Sequence, residues 1–258
     1  VGVTDWIDWG GGLHPCRGRL VDVPYLKALP RTEHTLPTAL RDAGYSTWHV
    51  GKWHLGGPES RPEDHGFDVN IGGCENGSPA GGGYFAPWSI TALRDADVPE
   101  GTYLTDYLTD RAVDLIRSRG DRPFFLNMCT YSVHTPIQAK PAKIAKYEAK
   151  AGALGLDPHQ ALVEGERFPT EHKRDRRVTR RVIQSDPVYA AMIESLDENV
   201  GRLLDTLDEE GIAENTLVVF TSDNGGLATA EGSPSCNLRL AEGKGWMYEG
   251  GTREPLPV

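Results

Sequence analysis

The chain has 258 residues, a formal net charge of −10 and 38% hydrophobic residues, enough to bury a sizeable core in one or two domains. The acidic balance argues against nucleic acid or an anionic membrane as the main partner, and no apolar run approaches the ~20 residues that span a bilayer. An anionic substrate stays open, because a local cluster of cations can dominate the field of one site.

In chain order, residues 35–43 read as a short helix with Thr35 as N-cap and Gly44 as its stop. Residues 46–50 read as a strand that runs into Gly51-Lys52-Trp53-His54-Leu55-Gly56-Gly57. Residues 70–100 are rich in Gly and Pro and are expected to form a long surface loop. A helix is expected over 102–119, with Tyr103, Tyr107, Leu108, Val113, Leu115 and Ile116 on its apolar side. Pro123-Phe124-Phe125-Leu126-Asn127-Met128-Cys129 reads as a second strand, followed by His134-Thr135-Pro136. Residues 140–185 are polar, with basic runs at Lys173-Arg174-Asp175-Arg176-Arg177 and Arg180-Arg181. They read as a solvated insertion, with a polyanion-recruiting rim as the functional alternative.

Residues 187–210 give the clearest helix, with Met192, Ile193, Leu196, Val200, Leu203, Leu204 and Leu207 expected in the core. Thr216-Leu217-Val218-Val219-Phe220 reads as a buried parallel strand that ends in Thr221-Ser222-Asp223-Asn224-Gly225-Gly226. Alternating strands and helices predict an α/β fold.

Asp223 and Asn224 put two hard oxygen ligands where open α/β sheets bind ligands; the same text is also good turn chemistry. Lys52, His54, His134 and Lys244, the last in Gly243-Lys244-Gly245, each lie in a loop after a strand or in a glycine-rich turn. Such loops at one sheet edge would bring cations and metal ligands onto one anionic group. That is a catalytic layout for an oxyanion ester.

These motifs resemble the type I sulfatases of the alkaline phosphatase superfamily. The matching text is Ala43-Gly44-Tyr45-Ser46-Thr47 with Gly51-Lys52-Trp53-His54, then Tyr131-Ser132-Val133-His134-Thr135-Pro136, then Phe220 to Gly226. Gly243-Lys244-Gly245-Trp246-Met247-Tyr248-Glu249-Gly250-Gly251-Thr252-Arg253-Glu254-Pro255 completes it, so the resemblance covers nearly the whole chain. It implies a three-layer α/β sandwich with a mostly parallel central sheet, and hydrolysis of a sulfated sugar or aryl ester. It also implies Ca²⁺, with Mg²⁺ as the alternative, held by Asp223 and Asn224, and export to a periplasmic, extracellular or lysosomal space. Lys52 and Lys244 would hold sulfate oxygens, His134 would protonate the leaving alcohol and His54 would assist release on the nucleophile side. A phosphomonoester or phosphonate hydrolase of the same superfamily, or a non-catalytic remnant that binds sulfated glycans, are the competing readings.

The family's paired metal-binding aspartates and its C/S-x-P-x-R motif, oxidised to a formylglycine nucleophile, have no counterpart here. The chain is therefore expected to be an internal fragment, residues 1–258 forming a partial catalytic domain. By itself it is expected to be inactive and to bind Ca²⁺ weakly. Cys16, in Pro15-Cys16-Arg17-Gly18-Arg19, has Gly18 where the motif needs Pro and reads as a loop cysteine. Cys16, Cys74, Cys129 and Cys236 lack metal-ligand spacing, and their pairing is left open. Trp53 and Trp246 read as packing residues, and Arg253 as a salt-bridge residue.

Overall fold

Parallel pairing of three strands organises the larger of two bodies. The computed structural model describes residues 26–79, 81–157, 160–167, 175–229 and 232–258; Cys16 and the Lys173-Arg174 pair lie outside them. One body comprises Lys27–Gly152 and Pro187–Val218, the other Ala153–Asp186 and Val219–Val258.

In the larger body, α1 (Leu36–Asp42) starts where the Thr35 hydroxyl accepts from the Thr38 amide, which satisfies one of the orphan donors of a helix start. It leads into β1 (Ser46–Gly51), whose Thr47, Trp48, His49 and Val50 are all buried. A strand buried on both faces is the signature of a parallel sheet. β1 pairs in parallel with β2 (Val69–Ile71) on one side and β3 (Phe124–Cys129) on the other, giving the order β2-β1-β3. The α/β class and the parallel sheet follow the expectation.

Residues 70–100 depart from the expected surface loop. They supply much of the core: Tyr84, Ala86, Trp88, Ile90 and Leu93 are all buried. The glycines there shape tight turns, and the aromatic side chains between them fold inward against α2 (Leu104–Arg117). Burying that much aromatic surface outweighs the weak regular structure of the segment.

α4 (Pro187–Glu209) buries Tyr189, Ala191, Met192, Ser195, Asn199, Thr206 and Leu207. Ile193 and Leu204, expected in the core, are instead 44% and 42% exposed. The buried stripe is rotated toward small polar residues that find partners. Ser195 Oγ donates to Ala191 O, and Asn199 Nδ2 donates to Asp106 Oδ1 of α2 at 2.8 Å. α3 (Pro141–Ala153) has no fully buried residue.

In the smaller body, β4 (Leu162–Arg167) and β5 (Arg177–Arg181) form an antiparallel pair. The basic residues around it are tied internally. Arg180 reaches Glu242, and Arg181 donates to Ser233 O and Ser185 Oγ. Those arginines brace the smaller body.

The run 216–220 corrects the sequence expectation most clearly. It is extended but has no strand pairing, and Leu217, Val218, Val219 and Phe220 are 77%, 41%, 51% and 46% exposed. Among the described residues, no strand lies alongside it to complete a ladder. Its one cross-chain backbone bond runs from the Phe220 amide to Pro257 O at 3.1 Å. Apolar side chains without a sheet face to pack on stay at the surface.

Candidate active site

Lys52, His54 and His134 belong to the larger body, and their placement follows from the β1–β3 register. Gly51 lies opposite Cys129, and the Lys52 amide donates to Cys129 O at 2.7 Å. Gly51 has φ of +107°, and a Cβ there would stand 1.9 Å from Cys129 O. Only glycine permits so close a crossing at the strand end. Lys52 and His54 therefore leave the C-terminal end of β1 beside the C-terminal end of β3, where the chain turns toward His134. Ligand sites of parallel α/β sheets form at this end.

His54 has φ of 57° and its amide donates to Cys74 O at 3.0 Å. Its imidazole lies over Gly77, where a Cβ would meet the ring at 2.4 Å. Asn76-Gly77 thus serves as a seat for the imidazole.

His134 is fixed through its own backbone. Its amide donates to Tyr131 O at 2.9 Å. The buried Tyr84 hydroxyl reaches Tyr131 O at 2.6 Å and His134 O at 2.9 Å. Burial pushes the Tyr84 phenol well above its ordinary range, so it stays a neutral donor. The His134 Nδ1 lies 3.0 Å from Thr135 O. The Thr135 Oγ1 lies 3.3 Å from the same nitrogen; toward the carbonyl, which can only accept, Nδ1 acts as the donor.

His49 underlies this edge. Its Nε2 donates to Gly51 O at 3.2 Å, and its Nδ1 accepts from Asn127 Nδ2 at 3.2 Å. Burial pushes its pKa down to about 4 against the hydrogen bonds that would raise it. Trp53 packs edge-on to His49 and Phe67 and donates to Ser60 O, the packing role expected of it.

Asp223, Asn224 and Lys244 belong to the smaller body. The Lys244 amide donates to Gly226 O at 3.1 Å, which ties the lysine turn to the end of the Asp223-Asn224 segment. Asn237 Nδ2 cross-braces the same place, donating to Gly226 O at 2.8 Å and Glu242 O at 2.9 Å. Gly225 packs so closely that a Cβ would stand 1.7 Å from Gly250 O. Asp223 is exposed, whereas the Asn224 Oδ1 is buried and has no hydrogen-bond partner. The carboxyl of Glu254 is held above its ordinary value by burial first and the nearby Asp223 charge second.

Orphaned oxygen acceptors beside a carboxylate suit a hard cation. Among the described residues no group of three or more His, Cys, Asp or Glu could hold a metal ion. Trp246 donates to Thr229 and stacks on Tyr248, again packing. Arg253 pairs with Glu249 at 3.5 Å in an exposed contact. Cys74 and Cys236 are free thiols.

Sequence reasoning missed Tyr84, hidden in a glycine-rich stretch, and His49, whose signal was a histidine inside an apolar strand. It quoted Glu254 within a motif and gave it no role.

The larger body thus carries a lysine and two histidines in the segments that follow the C-terminal ends of β1 and β3, and the smaller body carries an acid–amide pair with one orphaned amide oxygen. The sulfatase family profile matches residues 13–257, and the chain belongs to that family. Arylsulfatase J of Mus musculus is 32% identical over 240 residues, covering 87% of this chain and 34% of that protein. N-acetylgalactosamine-6-sulfatase of Mus musculus is 29% identical over 243 residues, covering 88% and 40%. A solved structure described as Ps i-CgsB in complex with k-i-k-neocarrahexaose superposes with a TM-score of 0.65 at 25% identity, covering 89% of this chain and 48% of that one. The chain spans less than half the length of these relatives.

Proposed function

We propose that the full-length protein is a sulfuric ester hydrolase that removes sulfate from a sulfated sugar or an aryl ester. The observation that carries this reading is the Gly51–Cys129 register, which sets Lys52, His54 and His134 at neighbouring strand ends in a chain of the sulfatase family. The name of the relative N-acetylgalactosamine-6-sulfatase supports a sulfated sugar as the substrate class. Export of the protein belongs to the same reading, and no helix among the described residues is long and apolar enough to cross a membrane.

A sulfate ester is already anionic, so its reaction needs positive charge placed where oxygen charge accumulates. Lys52 and Lys244 hold sulfate oxygens as point charges. His134, held with its Nδ1 facing Thr135 O, delivers a proton to the leaving alcohol. His54 handles the proton on the nucleophile side. Asp223 and Asn224 hold Ca²⁺, or alternatively Mg²⁺, through oxygen; the orphaned Asn224 Oδ1 supports that assignment. The cation, when bound, would supply further positive charge to the sulfate. Formylglycine, implied by the family, would supply the attacking oxygen.

The test is turnover of a chromogenic aryl sulfate and the matching aryl phosphate by the full-length protein. Sulfate turnover should dominate and fall about 10²-fold or more in Lys52→Ala and Lys244→Ala. Dominant phosphate turnover would make the protein a phosphomonoesterase. Absence of both, with retained binding to a sulfated glycan, would identify a non-catalytic binder.

A further inference from the structure

The segment carrying Asp223 and Asn224 has a neighbour that the reaction just described does not use. Three hydrogen bonds lay residues 220–225 antiparallel beside 251–257. The Phe220 amide donates to Pro257 O at 3.1 Å, Thr221 Oγ1 donates to Pro255 O at 3.1 Å, and the Gly225 amide donates to Gly251 O at 3.2 Å. In that register Glu254 falls opposite Ser222 and Asp223. At Gly225 and Gly250 the two segments approach so closely that there is no room for a Cβ on Gly225.

Two oxygens here are buried and have no hydrogen-bond partner: Asn224 Oδ1 and Glu254 Oε1. Asp223 adds a negative charge close enough to act on Glu254. Buried acceptors are ordinarily paired with donors. A short segment pair that keeps two acceptors unpaired beside a carboxylate lacks positive charge, not another hydrogen-bond acceptor. A hard cation satisfies all three oxygens together, because it takes carboxylate and amide oxygens alike and about six to eight of them in the case of Ca²⁺. Ser222 Oγ is already committed to Asn224 O, which orients the asparagine backbone and leaves its side-chain oxygen for the ion.

We infer that Glu254 is a third oxygen ligand of the cation site that Asp223 and Asn224 begin. The inference rests on the proposed metal role of that pair. Glu254 adds a second formal negative charge, which raises affinity for a divalent ion and creates carboxylate repulsion when the ion is absent.

The experiment is calorimetric titration of the metal-stripped full-length protein with Ca²⁺, together with its unfolding temperature with and without Ca²⁺. Wild type is compared with Asp223→Asn, Glu254→Gln, Glu254→Ala and the exposed control Glu249→Gln. Both Glu254 variants should weaken Ca²⁺ binding at least tenfold and shrink the Ca²⁺-induced rise in unfolding temperature. Glu254→Gln should also unfold at a higher temperature than wild type in the absence of Ca²⁺, since the repulsion is gone. Glu249→Gln should match wild type in binding. Loss of binding in Asp223→Asn with wild-type binding in both Glu254 variants would overturn the role of Glu254 and leave the metal reading standing. Binding unaffected by Asp223→Asn, or no binding by wild type, would remove the metal reading and the inference with it. A drop in unfolding temperature for Glu254→Gln with Ca²⁺ affinity retained would make Glu254 a structural residue.

Discussion

His49 shows how one side chain ties the sheet to the site edge. It is fully buried in β1, and both ring nitrogens are used, one toward Gly51 O and one toward Asn127. Burial holds its pKa near 4, well below the ordinary 6.5. In the unfolded chain the ring takes up a proton as pH falls through 6.5, whereas in the folded chain it resists until about pH 4. The unfolded state therefore binds more protons across this window, and stability falls as pH drops. His49 should contribute a loss of about 2 kcal/mol between pH 7 and pH 5. Urea unfolding at the two pH values measures it, and His49→Gln, which keeps a donor but does not titrate, should flatten that part of the dependence. An unchanged pH slope in the variant would place the titration elsewhere, His65 being the next buried imidazole. The sequence placed a histidine in an apolar strand, but it could not show that one ring nitrogen would find Gly51 O at the end of its own strand and the other Asn127 on a neighbouring one. The positions of Lys52 and His54 after β1 and of His134 after β3 were legible because the strand ends are marked locally. Tyr84 was not, because its hydroxyl matters only through partners some fifty positions away.

At the scale of elements, legibility followed periodicity and partners. α1, α2, β1 and β3 were readable from caps and apolar runs. The run 216–220 has the same strand-like composition, yet strand formation needs a ladder that composition does not supply. In α4 the apolar spacing pointed to Ile193 and Leu204, while hydrogen-bond partners on α2 rotated Asn199 inward. α3 is the opposite case: with only Ile144 and Tyr147 packed against the core, it depends on ion pairs to α4. Lys143 bonds Glu194 at 2.9 Å and also reaches Glu198, and Lys146 bonds Glu194 at 2.9 Å. The bonds from Lys146 and then Lys143 pull the Glu194 carboxyl down to about 2. That stabilisation is present above pH 4.5 and is lost as pH falls toward 2. Glu194→Gln should lower the unfolding temperature at pH 7 in low salt, and the difference from wild type should shrink at 1 M NaCl. Amide exchange should rise over 141–153 before the rest of the larger body. A salt-independent loss would point to packing, not charge, as the attachment.

For the whole molecule, the family was legible because motif order survives where no single residue is decisive. The division of labour among the cations was not, since it depends on which nitrogen of each ring is committed. His134 offers the sharpest test of the proposed proton delivery, its Nδ1 facing Thr135 O. An alkoxide from a sugar is a poor leaving group and needs that proton in the transition state. A nitrophenolate is stable enough to leave without it. In the full-length protein, His134→Ala should therefore lower kcat on a sugar sulfate by about 10²–10⁴-fold and cost far less on nitrophenyl sulfate, with KM little changed on either. Lys52→Ala and Lys244→Ala should penalise both substrates by similar factors, since sulfate oxygens need the same charge whatever departs. The two patterns separate proton delivery from charge stabilisation within one assay. Equal loss on both substrates for His134→Ala would move this histidine from the leaving group to the sulfate oxygens.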